Sequence, residues 1–263
     1  MYKLQSPRLK LLAAIVALLL CPARFTATDQ PAPNKEQIKH FLLTAKVVGS
    51  RPSTKGVTHT SRLTLSDGTL THDASFQPID EHKANFVDSY QYNLAAYALA
   101  ELVGFDDMMP VYVERKWKGT TGSLSWWLPV KMDEAERYKQ KLEPPDPDAW
   151  NKQMYKIRVF DELVQDSDPN LTNVLIGEDW KLWRIDFTRA FRTSPQLMRP
   201  NDLVHCDRQL HKNLTALTAD QLAEKVGPYL TKTEMKSLLA RRDAILQRFQ
   251  QLIAEKGESE VLY

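Results

Sequence analysis

The sequence of 263 residues predicts an α+β fold of two lobes, with a strand-rich N-terminal lobe and a reduced helical C-terminal lobe. Short apolar runs with strand-like alternation, separated by turn residues, are concentrated between residues 41 and 131 with a single helical segment among them. The second half instead carries apolar residues at helical spacing over long stretches. With 43% hydrophobic residues, the chain is long enough to bury a full core.

The N-terminal half contains the strand candidates. Residues 41–48 (FLLTAKVV) predict a strand, and residues 58–79 predict a hairpin that turns at Asp67-Gly68. Residues 86–103 have apolar residues at helical period, and Gly104 follows as an expected C-cap. Two further strands are expected around Gly119–Gly122. The predicted order is therefore strands, one helix and two strands.

The C-terminal half is mostly helical by pattern. A Pro-rich break at 143–148 (EPPDPD) precedes a predicted helix at 149–164, and further helices are expected within 217–230 and 236–257. The acidic side chains near the end of the first of these helices, Glu162 and Asp166, are expected to be solvated. We find no internal repeat and no low-complexity segment in the sequence.

One stretch of the C-terminal half carries a polar motif. Residues 159–176 (VFDELVQDSDPNLTNVLI) lead from an apolar helix end into a polar loop with Asp168, and Asn173 follows five positions later. A short hairpin that turns at Gly177–Asp179 then leads to Asp186. The three polar side chains are expected to converge at one end of this hairpin. Their spacing suits phosphoryl transfer, in which one Asp orients the attacking hydroxyl while an Asn and a second Asp hold metal on the nucleotide phosphates.

The same stretch resembles the catalytic core of the protein-kinase-like superfamily. It is most similar to the atypical branch that includes HipA-type bacterial kinases, type II phosphatidylinositol kinases and secretory-pathway kinases. The resemblance implies a catalytic role for Asp168, metal ligation by Asn173 and Asp186, and ATP with Mg²⁺ or Mn²⁺ as cofactors. The chain departs from the family pattern at the residue after the catalytic Asp, which is Pro169, and at Phe187-Thr188, where Phe-Gly is common. The whole chain also resembles uncharacterised exported bacterial proteins, which names no activity.

The ion pair that this superfamily uses to bind nucleotide phosphates is replaced in the sequence. A Lys on the third strand normally pairs with a Glu on the helix. The matching positions here are Gln77 and Asn93, both uncharged. An amide–amide hydrogen bond between them would keep the helix docked without bringing a cation to the phosphates. Either another lysine substitutes, with Lys46, Lys55 and Lys83 as candidates, or the protein binds nucleotide without turnover, or the fold serves as an interaction scaffold.

Further nucleotide contacts are expected at two places. Lys55 and Gly56 lie in the loop 49–56 (GSRPSTKG), in the position of a phosphate loop, although a plain turn between strands fits this loop equally well. Trp127 follows Trp126 where the lobes would join, and either base stacking or core packing suits it. Three arginines flank the Asp-Phe motif, and they either neutralise substrate phosphate or form surface ion pairs: Arg184, Arg189 and Arg192.

The N-terminus predicts export. Residues 1–23 have a basic start and an apolar stretch typical of a signal peptide, with a retained membrane anchor as the alternative. Residues 24–37 predict a linker, followed by an N-lobe at 38–131 and a C-lobe at 132–257. We expect a periplasmic or secreted bacterial protein without a stable membrane span in its mature form.

Charge and cysteine content exclude some functions. The first 23 residues hold three basic side chains and no acidic one, so that their removal changes the formal charge from +2 to −1. No basic excess then remains to indicate nucleic-acid binding. Cys206 is the one cysteine beyond the signal segment, and it is expected to be a packed thiol.

Together these observations predict a Mg-ATP-dependent phosphotransferase that acts on a hydroxyl of a protein or small molecule. The alternative is a pseudokinase that binds nucleotide weakly or not at all and serves as an interaction module. The expected partners are a nucleotide and an acceptor that the sequence does not identify.

Overall fold

The computed structural model of the protein describes residues 32–52, 60–83, 86–168 and 170–263. The expected signal segment, most of the expected linker, and Lys55 and Gly56 of the expected phosphate loop lie outside these ranges. Residues Asn34–Tyr263 form one unit.

A five-stranded antiparallel sheet dominates the N-terminal part. Its elements in chain order are α1 (Lys35–Thr44), β1 (Lys46–Pro52), β2 (Ser61–Ser66), β3 (Thr71–Gln77), β4 (Asp80–Lys83), β5 (Phe86–Ser89), α2 (Tyr90–Val103), β6 (Tyr112–Trp117) and β7 (Thr120–Trp126). The strand order is β1-β2-β3-β7-β6, while β4 and β5 pair with each other. The expected hairpin with its turn at Asp67-Gly68 is present as β2 and β3, and β6 and β7 form the second expected pair.

The segment expected to be a strand at 41–48 is divided in the structure: residues 41–44 end helix α1, and residues 46–48 begin strand β1. Asn34 caps α1 by accepting a hydrogen bond from the Gln37 amide, and the Gln37 side chain accepts one from the Asn34 amide in return. Phe41 and Leu42 lie on the buried side of this helix. The strand begins only at Lys46 because this cap, and not the apolar run, sets the local structure.

The expected helix at 86–103 begins later than its pattern suggested. Phe86–Ser89 is a strand paired with β4, and the Ser89 side chain caps α2 by accepting from the Gln91 amide. Gly104 ends α2 with φ of +76°, a left-handed conformation that glycine adopts without a steric penalty, as expected.

The two faces of the main sheet differ in polarity. Alternate residues of β2, β3 and β7, including Leu63, Phe76 and Leu124, are fully buried in the apolar core. The residues between them are polar, and we call this set the polar face: Arg62, Thr64, Asp73, Ser75, Gln77, Ser123 and Ser125. Strand residues alternate between faces, so that one side of the sheet holds the core while the other presents hydrogen-bonding groups.

The C-terminal part is mainly helical. It contains β8 (Met132–Asp133), α3 (Glu134–Gln140), α4 (Pro147–Val164), β9 (Val174–Ile176), β10 (Leu182–Arg184), α5 (Arg208–Ala216), α6 (Ala219–Lys225), α7 (Lys232–Lys256) and α8 (Glu258–Val261). The small sheet has the order β10-β9-β8, and it includes the expected hairpin. Helix α4 begins with Pro147 after the N-cap Asp146, in agreement with the Pro-rich break before it.

Aromatic contacts join the two parts. The Phe105 ring, which follows α2, stacks on Phe160 of α4 with centroids 4.2 Å apart, and Phe160 meets the edge of Phe187 at 5.5 Å. Cys206 is fully buried, and burial raises the pKa of its thiol to about 12, which confirms the expected packed thiol. Within the described residues no helix is long and apolar enough to cross a bilayer.

Candidate nucleotide cleft

A cavity of about 670 Å³ lies against the polar face of the main sheet. The sheet contributes Arg62, Ser75, Gln77, Ser123 and Ser125 to its lining, and the segment that follows β7 contributes Trp126, Trp127 and Leu128. The C-terminal part contributes Asn173, Leu175 and Asp186. Four residues selected from the sequence therefore line one cavity: Gln77, Trp127, Asn173 and Asp186.

The hairpin of β9 and β10 brings Asn173 and Asp186 to the same end of this cavity. The Ile185 amide donates to the Asn173 carbonyl oxygen at 3.0 Å, which fixes the spacing of the two chain segments. Asp186 has φ of +61°, in the left-handed region, and its Oδ1 accepts hydrogen bonds from Gln77 and Thr188, both at 3.2 Å. The donor set of one carboxylate and one amide oxygen fits Mg²⁺ or Mn²⁺, which prefer oxygen ligands.

Asp168 is absent from the residues that line the cavity. Arg189 holds it, with Nη1 donating to Asp168 Oδ2 at 2.9 Å and Nε donating to Asp88 Oδ2 at 2.8 Å. The Asp168 side chain is 36% exposed, whereas that of Asp88 is only 4% exposed. These carboxylates and Asp186 raise the pKa of Arg189, with the hydrogen bond to Asp88 as the largest cause. Asp168 is thus a positioned and solvent-accessible carboxylate.

The predicted contact between Gln77 and Asn93 is present. Asn93 is fully buried in α2, and its Nδ2 donates to Gln77 Oε1 at 2.8 Å and to Ser123 Oγ at 3.1 Å. Its Oδ1 accepts from the Phe187 amide at 2.8 Å. One neutral amide therefore joins α2 to β3, to β7 and to the segment after Asp186.

The candidate substitute lysines that the structure describes lie elsewhere. Lys46 is exposed at the start of β1. Lys83 is exposed on β4 and pairs with Glu81 at 2.5 Å. Neither residue lines the cavity. Among the described residues, the basic side chains that line it are Arg51, Arg62 and Lys131.

Arg184 is buried, which removes it from the candidates for a substrate phosphate contact. Its side chain is 1% exposed, and it donates to Asp161 Oδ1 at 3.0 Å and also to Asp166 Oδ2. The expectation that Asp166 is solvated was wrong, because this side chain is 1% exposed. Burial raises the pKa of Asp166 to about 7 although Arg184 acts in the opposite direction. In the sequence, Arg184 lies between the apolar residues Trp183 and Ile185, and this is the pattern that indicates a buried arginine.

The structure also describes the surroundings of Glu162 and Arg192, two charged side chains near the candidate site. Glu162 was expected to be solvated, but it is buried and accepts hydrogen bonds from the amides of Met198 at 2.7 Å and Arg199 at 2.9 Å. Arg192 donates to the Ser167 hydroxyl at 3.0 Å through Nη2.

Arg62 and Tyr112 line the cavity, but the sequence does not identify them. A strand residue carries no local signal of which cavity its side chain faces.

Sequence comparisons and structural comparisons differ in what they find. No protein-family model matches the chain, and no curated protein sequence matches it. A solved structure of hydra Fam20 with sugar superimposes with a TM-score of 0.64 at 14% identity, covering 87% of this chain and 92% of Fam20. The Helicobacter pylori proinflammatory kinase CtkA superimposes with a TM-score of 0.54 at 9% identity, covering 82% of this chain and 98% of CtkA.

The chain has a protein-kinase-like fold, because it superimposes on both structures and covers each almost completely. The two-lobed α+β class predicted from the sequence is confirmed. At these identities the likeness concerns the fold, and the chemistry of this chain depends on its own side chains.

Proposed function

We propose that the protein transfers a phosphoryl group from ATP to a hydroxyl of a protein or small molecule, with Mg²⁺ or Mn²⁺. The observation that carries this proposal is the shared cavity, which Asn173 and Asp186 line together in a kinase-like fold. Asp168, five residues before Asn173, is solvent-accessible and held by Arg189. Trp127 and Gln77 line the same space, which leaves room for the nucleotide next to the metal ligands.

Each side chain has a distinct role in the proposal. Asn173 and Asp186 would hold the metal ion through their side-chain oxygens, and the bound ion would supply positive charge against the phosphate oxygens. Asp168 accepts a hydrogen bond from the acceptor hydroxyl and orients its oxygen toward the γ-phosphorus. The bond between the γ-phosphorus and the β–γ bridging oxygen breaks as the new P–O bond forms, ADP leaves, and the hydroxyl proton passes to Asp168.

The alternative function is a pseudokinase that acts as an interaction module. One observation favours it. The Gln77–Asn93 pair is neutral, and Gln77, which stands at the position of the usual phosphate-binding lysine, donates through Nε2 to Asp186 Oδ1. Loss of a charge-assisted contact costs about 1.5–3 kcal/mol of phosphate binding. On this basis we expect weak nucleotide binding that depends strongly on metal.

A thermal-shift experiment tests the proposal. ATP, ADP and GTP are added at millimolar concentration, each with Mg²⁺, with Mn²⁺ or with chelator, to the wild type and to Asp186→Ala. A ligand at one hundred times its dissociation constant stabilises a protein by about 2.7 kcal/mol, which is easily detected. We expect stabilisation only with metal present and only in the wild type.

Asp168→Ala separates binding from turnover. We expect this variant to keep the metal-dependent shift and to lose phosphoryl transfer. If no nucleotide–metal pair shifts the wild type, the interaction-module alternative is favoured. A shift that persists in Asp186→Ala places the nucleotide outside this cleft.

We also propose that the protein is exported. The support is the pattern of residues 1–23, with Lys3, Arg8 and Lys10 before a short apolar stretch. N-terminal sequencing of the protein recovered from its native host distinguishes cleavage near residue 23 from a retained anchor.

A further inference from the structure

Arg62 lies on the polar face of the sheet in a fixed position. Its guanidinium carbon is 4.0 Å from the centroid of the Trp127 ring. In the plane of the guanidinium, Nε and Nη2 contact Asp73 Oδ2 at 2.6 and 2.5 Å. Asp73 is itself held by the Thr64 hydroxyl, which donates to Oδ1 at 2.7 Å. The Arg62 side chain is thus oriented by a ring on one face and a carboxylate at its edge.

The strand register places Arg62 away from the metal ligands. Arg62 pairs with Ser75, which precedes Gln77 by two residues on the same face of β3. A strand rises about 3.3 Å per residue, so Arg62 is about 7 Å along the strand from Gln77. Gln77 contacts Asp186, whereas the Trp127 amide donates to the Asp73 carbonyl oxygen at 3.1 Å. Arg62 therefore lies at the end of the cavity next to Trp127, remote from the end with Asp186.

The contacts of Arg62 also limit what it offers to a ligand. A guanidinium binds phosphate through its N–H groups, and in Arg62 the edge formed by Nε and Nη2 is already directed at Asp73 Oδ2. Arg51 Nη2 lies 3.8 Å from the same oxygen, so that Asp73 offsets part of the charge of both arginines. Trp127 covers one face of the guanidinium. Arg62 lines the cavity, so its remaining face is what a ligand meets. A planar and weakly hydrated guanidinium stacks well on aromatic rings.

We propose that the purine base of the nucleotide stacks on the Arg62 guanidinium, so that Arg62 binds the base and not the phosphates. This inference rests on the proposed function, since it assigns the base end of the same cleft. Met132 and Leu175 line the cavity from the C-terminal part and supply the apolar surface for the ring. The hydroxyls of Ser75 and Ser125 line it at the level of Arg62 on the sheet, and a serine hydroxyl can donate to or accept from the polar edge of a purine.

Calorimetric titration with three probes tests this assignment. ATP and ADP carry the base with different numbers of phosphates, and inorganic tripolyphosphate carries phosphates alone. All three are titrated with Mn²⁺ into the wild type, Arg62→Met and Arg62→Lys. Arg51→Met is the control, because Arg51 also lines the cavity and lies 3.8 Å from the same Asp73 oxygen, but its side chain is 65% exposed and stacks on no ring in the described structure.

We expect Arg62→Met to weaken ATP and ADP by the same factor, on the order of tenfold, with tripolyphosphate unchanged. Arg62→Lys keeps the charge beside Asp73 but lacks the planar group, so it should lose the same factor, and it remains informative if Arg62→Met does not fold. Arg51→Met should stay within about twofold of the wild type by comparison with exposed ion pairs.

Two results overturn the inference while the proposed function stands. One is wild-type binding of ATP that neither Arg62 variant weakens. The other is an Arg62 variant that loses as much affinity for tripolyphosphate as for ATP, because such a loss would mean that Arg62 binds the phosphates. If the wild type binds none of the three probes, the proposed nucleotide function fails and the inference fails with it.

Discussion

Arg189 connects three parts of the candidate site through one side chain. It bridges Asp88 at the end of β5 and Asp168 in the loop after α4. Asp88 Oδ1 is buried and accepts no hydrogen bond in the described structure, so that Arg189 is the partner that compensates this carboxylate. The position of Asp168 therefore depends on a buried acid more than one hundred residues before Arg189.

Removing Arg189 should destabilise the protein through Asp88. We expect Arg189→Met to lower the free energy of unfolding by about 2–4 kcal/mol, because an uncompensated buried charge remains. The measurement is urea unfolding followed by circular dichroism. The double variant with Asp88→Asn should recover part of this loss, since the amide carries no charge. Strictly additive effects of the two substitutions would contradict the bridge.

Single residues divide into those that the sequence could identify and those that it could not. Asn173 and Asp186 were found because their spacing is local, within one loop and one hairpin. Gln77 and Asn93 were found by their places on a strand and a helix, and their contact is present. Arg62 was not found, because its orientation depends on Trp127, which is distant in the sequence.

At the level of secondary structure, the approach of β7 to β3 supports the cleft. Gln77 pairs with Ser123, and the neighbouring residue of β7 is Gly122. A side-chain carbon at Gly122 would lie 2.7 Å from the Gln77 carbonyl oxygen and 2.9 Å from Pro78 Cα. Both are backbone atoms, so that relief requires a movement of β3 itself.

We expect Gly122→Ala to cost about 1–3 kcal/mol of stability through this overpacking. It should also weaken nucleotide binding, because Gln77 and the Asp186 contact move with β3. Gly49→Ala is the matched control in β1, where the new carbon would meet the Thr64 side chain at an ordinary 3.4 Å. Chemical denaturation and nucleotide titration measure both effects. Equal stability of the two variants would contradict the close approach.

The predictability of the elements follows from how local their signals are. Hairpins such as β2–β3 were predicted because turn residues at Asp67-Gly68 set them locally. The apolar run 41–48 predicts a strand throughout, but its first four residues end a helix, because a capping box at Asn34 competes with strand propensity. The sequence pattern predicts a single helix over residues 86–103 and does not reveal strand β5 at its start, because periodicity does not identify the partner strand β4.

At the scale of the whole molecule, the buried charge cluster joins α4, its following loop and β10. Arg184 contacts both Asp161 and Asp166, and two carboxylates around one guanidinium carry a net negative charge when both are ionised. The raised pKa of Asp166 reports this excess together with burial, which is its largest cause. Global stability should therefore depend on pH through this cluster.

The direction of this pH dependence follows from the difference in proton binding between the folded and the unfolded protein. The folded-state pKa of Asp166 is raised from 3.8 to about 7, so the folded protein holds a proton that the unfolded chain releases. This stabilisation is fully present below pH 3.8 and is lost as the pH rises through about 7. An isolated carboxyl with this shift would contribute about 4 kcal/mol, and sharing with Asp161 and Arg184 reduces our expectation to about 2 kcal/mol.

The measurement compares unfolding free energies at pH 5 and pH 8. We expect the wild type to lose more stability over this interval than Asp166→Asn, which cannot ionise. Asp243→Asn is the control: it removes a carboxylate that is 67% exposed, and this variant should keep the wild-type pH dependence. If Asp166→Asn shows the same pH dependence as the wild type, the proton is held elsewhere.

The neutral amide that docks α2 has a consequence for control of the protein. An ion pair at this place would weaken in high salt and would break when a partner titrates. Asn93 and Gln77 carry no charge, and neither amide titrates in the physiological range. The contact between Gln77 and Asn93 should therefore persist across ionic strengths and across the pH range in which Asp166 changes its charge. A signal that moves α2 through this joint would have to act by steric displacement or through Asp186, the charged group that Gln77 contacts.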